Sequence, residues 1–296
     1  MISEITRLAS DYPLYFDFIV LVVGTCLGSF LNVVISRTPE GLSIITPSSH
    51  CICGKPISWH DNIPIISWVI LKGRARCCGQ PIGIRHPFIE ILTGAIFLYV
   101  WKNMNPENAF CGWIFASALV VATCIDIEHM IIPDFLSLGL GIVGVILSAL
   151  VPSLHGQHEG IFPLDSLRSV EASMKGLLLG SGLLFWIAML ASAVLNKEAM
   201  GLGDVKFIGA IGAFCGWKGA LVSIFGGAFL GAIAVIILIV FRKLFSNKKS
   251  ETERVAETPL SNPIPFGPML ALAGLLYFVS FHISIDHWFA NFSELF

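Results

Sequence analysis

The sequence predicts an all-α polytopic membrane protein, with about eight transmembrane helices and a small cysteine-containing cytoplasmic insert between the first two. Three observations predict it. Of 296 residues, 55% are hydrophobic and 13% charged, against about 25% charged in a typical soluble domain, and mean hydropathy is +0.80. Apolar stretches of near-spanning length recur along the chain. Lys and Arg concentrate on alternate connections between them. The net charge of -2 excludes a nucleic-acid binder driven by basic charge, and the apolar content excludes a disordered chain.

The first stretch, 15–36, lacks a basic start and a following small-residue cleavage site, so it is read as a retained span. A polar insert, 37–86, separates it from 87–101. Further stretches follow at 109–125, 135–151, 172–195, 205–217, 219–241 and 264–283. The second and sixth are short for a span. The polar stretch 242–262 reads as a solvated loop, because its Ser, Thr, Glu and Lys leave little to bury. With the insert in the cytoplasm and eight alternating spans, 13 of the 18 Lys and Arg fall inside. Both chain ends then lie outside. The expected organisation is an outer N-terminus and first helix at 1–36, the insert at 37–86 and a membrane domain at 87–296.

Small residues spaced four apart, Gly176/Gly180, Gly212/Gly216 and Gly227/Gly231, predict close helix packing. GLGIVG at 139–144 has a dinucleotide-loop spacing, but it lies in an apolar run with no preceding strand and reads as helix.

Ionisable residues near a membrane are costly and tend to be functional. Asp17, Glu90, Asp126, Glu128, Asp134 and Asp204 are the acids in question. Asp126 closes an apolar span in ATCIDIEHMIIPD, and Asp204 sits in GLGDVKF. The predicted topology puts both on the cytoplasmic side. Gly201 and Gly203 beside Asp204 permit unusual backbone and remove bulk, so an extended chain can approach. Two carboxylates sharing a site hold one proton between them, one activating water while the other protonates. The competing reading is a set of solvated helix-end acids. Asp134, after Pro133, fits that reading as a helix cap.

At this point the motifs carry a family likeness. GSFLNVVISR at 28–37, WHDNIPIISWVILKGR at 59–74, PIGIRHPFIE at 81–90, DIEHMIIPD at 126–134, GLGDVKF at 201–207 and PFGPML at 265–270 occur in order. Together they resemble the type IV prepilin peptidases, the membrane aspartic proteases with a GxGD motif. The resemblance implies that Asp126 and Asp204 are the catalytic pair, with Gly201 and Gly203 as motif support. It implies prepilin or pseudopilin substrates, cut after a glycine at the cytoplasmic face of the inner membrane. It also implies N-methylation of the new terminus with S-adenosylmethionine, and a type IV pilus or type II secretion system as the partner machinery. Membrane lipid is the other partner expected, and nucleic acid is not.

Cys26, Cys111, Cys124 and Cys215 lie in apolar stretches and read as small hydrophobes. Cys51, Cys53, Cys77 and Cys78 lie in the insert. A reducing cytoplasm disfavours disulfides there, and four thiolates suit tetrahedral zinc. The resembled family carries two CxxC pairs, whereas this chain has CxC and CC, with His50 and Ala75 at the leading positions. Three arrangements are open: all four Cys bind zinc; His50, Cys53 and Cys78 bind it with one further thiol; or the metal is lost. The departure weighs on methylation more than on proteolysis, and no cofactor-binding residues are assigned.

Ser29 and Asn32 share a helix face, either for substrate or for interhelical hydrogen bonds. Glu90 either supports the insert, takes part in methylation or complements a helix N-terminus. Lys206 either favours ionised Asp204 or marks the cytoplasmic boundary. His155 and His158 are expected in solvent on an outer loop, and Asp17 is expected to snorkel outward. The rival functions are a transporter with ion-binding acids and a catalytically inert secretion scaffold.

Overall fold

The computed structural model describes residues 2–157, 160–197, 200–245 and 265–293. Most of the loop expected at 242–262, and His158, lie outside the described residues. Among the described residues the regular structure is helical, with two isolated β-bridges in the insert. Helix α1 is Ile2–Asp11 and α2 is Pro13–Arg37. The short α3 is Ile66–Ile70, α4 is Arg85–Asn103 and α5 is Pro106–His129. Helix α6, Phe135–Leu150, opens with a π turn. Helix α7 is Phe162–Leu195.

The next helical run, Leu202–Phe245, is interrupted at Gly216, which sits at φ 67, ψ -178. Such dihedrals are accessible essentially to glycine alone. The chain reverses there. A straight helix would separate positions 208 and 220 by about 18 Å. Yet a Cβ on Gly180 would lie 3.3 Å from the Ile208 carbonyl and 2.9 Å from the Ala220 Cβ. We therefore number the halves α8 (202–215) and α9 (217–245). Helix α10 is Gly267–Phe281 and α11 is His282–Ser293. Proline at N1 opens α2 and α5, and Pro163 stands at N2 of α7, in each case in the first turn, where its missing N–H costs no hydrogen bond.

Among the described residues, each of the eight apolar stretches expected from the sequence is largely helical. Four described helical runs are long and apolar enough to cross a membrane: Pro13–Arg37, Pro106–His129, Phe162–Leu195 and Leu202–Phe241, the last being the run that breaks at Gly216. Phe135–Leu150 and Gly267–Phe281 are shorter apolar helices. Outward-facing apolar side chains such as Leu14, Phe18, Trp186 and Ile237 suit a lipid environment.

Helix α8 sits at the centre. Phe207, Ile208, Ile211, Ala213 and Phe214 are all at most 1% exposed. A helix that is apolar all round is a buried one, so its short length follows from its place inside the bundle. Phe214 stacks on Phe115 of α5 at 4.7 Å, and Phe115 meets Phe278 of α10 at 5.3 Å. Close backbone approach is set by glycine. A Cβ on Gly176 would come within 2.0 Å of the Gly212 carbonyl, so the predicted spacing does pack α7 on α8. The sequence reading missed a further pair: on α2, a Cβ on Gly24 or Gly28 would meet the α4 backbone at 2.8 Å. The GLGIVG run lies in α6, where a Cβ on Gly144 would meet the Phe214 ring at 2.9 Å; it is a packing surface.

Polar contacts gather at two ends. At one end, Arg85 pairs with Glu128, Lys206 with Asp134, and the Asn32 amide donates to the His86 carbonyl. At the other, Lys102 pairs with Asp17, Lys218 with Asp286, and Asn108 with Ser153. Asp17 is thus paired, where the sequence reading had it snorkelling to the surface.

Candidate active site

Asp126 lies in the last turn of α5. That helix stops at Met130, whose left-handed φ of 56° turns the chain toward Pro133. The Asp126 side chain is 6% exposed, and its Oδ2 accepts the Gly267 backbone N–H at 3.1 Å. A Cβ on Gly267 would lie 2.6 Å from that oxygen, so any side chain at this position would push the carboxylate away from its present place. Asp204 is half-buried in the first turn of α8, where the helix dipole favours an anion. Its backbone N–H donates to the Gly201 carbonyl at 3.2 Å. The two carboxylates lie within electrostatic reach of one another. Ile132 connects the surroundings: its side chain would touch a Cβ on Gly267 at 3.1 Å and one on Gly203 at 3.5 Å. The structure therefore brings together Asp126, Asp204, Gly203 and the start of α10. Neither Gly201 nor Gly203 adopts positive φ, so their contribution is the absence of side-chain bulk, and the unusual backbone expected for them is not present.

Two ion pairs frame the acids. Glu128, two residues after Asp126, binds Arg85 at 2.5 and 2.7 Å. Lys206, two residues after Asp204, binds Asp134 at 2.7 Å. Asp134 does not cap α6: its backbone is already helical and its side chain makes no cap bond, because Lys206 takes the carboxylate. Arg85 was missed by sequence reasoning, since its partner lies 43 positions away. Glu90 is 7% exposed and accepts the Ile65 N–H at 2.7 Å, a bond that supports the insert. Asn32 is buried, with its amide on the Gly28 and His86 carbonyls at 3.2 Å, whereas Ser29 is half-buried beside an outer cleft.

His155 departs from expectation. Its Nε2 lies 3.0 Å from Ser148 Oγ, and it packs near Gly216 at the α8–α9 reversal. Burial pushes its pKa down to about 4, against the opposing pull of the Ala213 carbonyl. The loop folds back on the bundle, so this residue is half-buried against Ser148 and Gly216 rather than solvated on an outer loop.

In the insert, the Sγ atoms of Cys51, Cys53, Cys77 and Cys78 lie within 4.8 Å of one another. The contacts run crosswise, Cys51 to Cys78 and Cys53 to Cys77, each at 3.4 Å. Thiolates bound to one zinc at ~2.3 Å stand ~3.8 Å apart at tetrahedral corners, so the four thiols fit such an ion. Two tight turns present them. The Gly54 N–H donates to the Cys51 carbonyl and the Gly79 N–H to the Ala75 carbonyl, with φ of +81° and +69° at the two glycines. The Cys53 backbone N–H holds the Cys51 thiol down at about 7. Cys77, sharing its proton with Cys53, is pushed up to about 12. His50 points elsewhere, its Nδ1 lying 3.2 Å from the Ser48 carbonyl, and it lies outside the thiol cluster.

The fold and site define a helical membrane protein with two acids near one another at adjoining helix ends and a four-thiol insert beside the same end. The family model described as "Bacterial Peptidase A24 N-terminal domain" matches residues 22–104, and "Type IV leader peptidase family" matches 113–236. A prepilin leader peptidase/N-methyltransferase of Klebsiella pneumoniae is 36% identical over 73% of this chain and 92% of the relative. One of Aeromonas salmonicida is 31% identical over 96% of this chain and 97% of the relative. One of Xanthomonas campestris is 30% identical over 86% and 88%. The chain belongs to the type IV leader peptidase family, which does not favour the transporter or inert-scaffold readings. No solved structure matches it.

Proposed function

We propose that this chain is a prepilin leader peptidase and N-methyltransferase of the bacterial inner membrane. It removes the leader of type IV prepilins or pseudopilins and methylates the new terminus, serving a type IV pilus or type II secretion system. The observation that carries the reading is the approach of Asp126 and Asp204 from α5 and α8, with Asp126 oriented by the Gly267 N–H. In this reading the pair shares one proton and brackets a water. One carboxylate takes the water proton as the oxygen attacks the scissile carbonyl. The other protonates the developing oxyanion, and the proton then passes to the leaving amine. The open space beside Gly201 and the lack of a side chain at Gly203 admit an extended substrate.

All eight helical stretches then cross the membrane in alternation. The insert and both acids face the cytoplasm, in accord with the basic residues concentrated there. The working units are 1–36, the insert 37–86 and the peptidase domain 87–296. Cys51, Cys53, Cys77 and Cys78 hold structural zinc. S-adenosylmethionine supplies the methyl group, an activity carried by the relatives' names.

Co-expression with a prepilin, followed by gel mobility of the leader-bearing and mature forms, tests the peptidase. Asp126→Asn and Asp204→Asn should each slow cleavage by about 10²–10⁴-fold, the usual worth of a general acid or base. Full cleavage by both variants would remove the reading. Mass spectrometry of the mature pilin terminus reads the methyl group separately.

A further inference from the structure

A cleft of about 350 Å³ lies between α2 and the insert, within the usual range of ligand sites. On α2 it is lined by the i, i+4, i+8 stripe Ser29, Val33 and Arg37, and from the insert by Ile45, Ser49 and Asn62. At about 100° per residue, that stripe lies away from the α2 face that packs on the bundle, where Gly24, Gly28 and Ile35 are buried. The same outer stripe continues up α2 through Val22 and Phe18, which are 41% and 65% exposed. The insert therefore overhangs the lipid-facing side of its own first helix, and it exposes large apolar side chains: Ile45, which lines the cleft, is 82% exposed and Trp59 81%. The cleft holds one cation and, among the described residues, no carboxylate. Arg37 donates from Nη1 to the Ser43 carbonyl at 3.0 Å, which leaves further guanidinium donors for an anion.

We propose that this cleft seats the headgroup of an anionic glycerophospholipid from the leaflet on the insert side. Its phosphate rests on Arg37, its polar headgroup on Ser29, Ser49 and Asn62, and one acyl chain runs down the Val22–Phe18 stripe. The inference rests on the reading that α2 spans the membrane. A basic residue at the headgroup level attracts anionic lipid, and Trp59 is a side chain suited to that depth. The bound lipid then ties the insert to the membrane surface without any contact to the two acids.

The full chain in mild detergent is titrated with phosphatidylglycerol or phosphatidylcholine and read by native mass spectrometry. A photoreactive phosphatidylglycerol maps the contact. One phosphatidylglycerol should be retained in preference to phosphatidylcholine, with cross-links in 26–37 and 44–49. Arg37→Gln should lower its retention about five-fold, the worth of one juxtamembrane basic residue. Arg37→Lys should keep most of it. Equal retention of the two lipids, or cross-links confined to other helices, overturns the site while leaving α2 as a span. Displacement by inorganic phosphate or by S-adenosylmethionine at the lipid's own concentration also overturns it, by assigning the cleft to a soluble ligand. Extraction of the chain without detergent would instead remove the membrane reading itself.

Discussion

His155 carries no charge in the fold until pH falls to about 4, whereas an ordinary imidazole takes its proton near 6.5. Between those values the unfolded chain binds a proton that the folded chain refuses. Stability from this ring is therefore complete above about 6.5 and is lost as pH falls toward 4. Thermal unfolding in detergent across that window should show a falling midpoint, and His155→Gln should flatten the fall; an unchanged slope would mean that other groups carry it. Glu90 acts by a different rule. Its buried carboxylate receives the Ile65 N–H, at a residue whose φ of 60° is unusual for isoleucine. Glu90→Ala leaves that donor without its partner, at a cost of about 1–3 kcal/mol. Protease sensitivity of the neighbouring 59–74 segment is the measurement. The Arg85–Glu128 pair is partly exposed, so Arg85→Ala should cost less than about 1 kcal/mol.

At the element scale, the contact between α7 and the α8–α9 hairpin depends on atoms that are absent. A Cβ on Gly176 would meet the Gly212 carbonyl at 2.0 Å and the Gly216 carbonyl carbon at 2.7 Å, and these are backbone atoms that cannot rotate aside. Gly182, six residues along the same helix, would meet nothing within 4 Å. Gly176→Ala should therefore destabilise by about 1–3 kcal/mol or more, and Gly182→Ala should change stability by no more than about 1 kcal/mol, both read by unfolding in detergent. The glycine spacing was legible in the sequence because close packing leaves a local four-residue signature. The helices were legible for the same reason, and even the α8–α9 break showed as the polar Lys218 between two apolar runs. Long-range pairing was not. Nothing local at Asp134 says that Lys206 will take its carboxylate. Nothing in the order CxC and CC says that the thiols will meet crosswise. His155 read as a loop histidine, because burial there is created by a reversal at Gly216 some sixty residues further on. The acids Asp126 and Asp204 were legible as motifs, while their approach depends on Gly267 and Ile132, which come from other elements.

Across the whole molecule, two unlike solutions to folding are joined at one end. The bundle is held by apolar burial around α8 and by helix packing. The insert has almost nothing of that kind: between residues 41 and 86, Ser67 is the single buried residue. A unit of about 50 residues without a core needs a staple. Other ties there include the Asp61–Arg76 pair, the Trp68 Nε1–H donating to the Ile82 carbonyl, the Ser67 hydroxyl donating to the His60 carbonyl, two isolated β-bridges and the Glu90 anchor. The Asp61–Arg76 pair is solvent-accessible on the Arg76 side and adds little on its own. With zinc bound as proposed, the four-thiol cluster would be the principal hold, because metal binding at such a site is itself folding free energy. Purified protein should carry about one zinc per chain. A strong chelator, or the double variant Cys51→Ser with Cys78→Ser, should open 41–84 to proteolysis with little change in helical circular dichroism. Leader cleavage should persist, since among the described residues the contacts seen around Asp126 and Asp204 come from α5, α8, α10 and the 130–134 turn. Methylation should fail, if the insert serves that half of the chemistry. A metal-free chain whose 41–84 segment stays protease-resistant would show that the thiols are not the staple. Loss of cleavage in step with loss of metal would show instead that the insert, through Arg85 and Glu128, positions the acids after all.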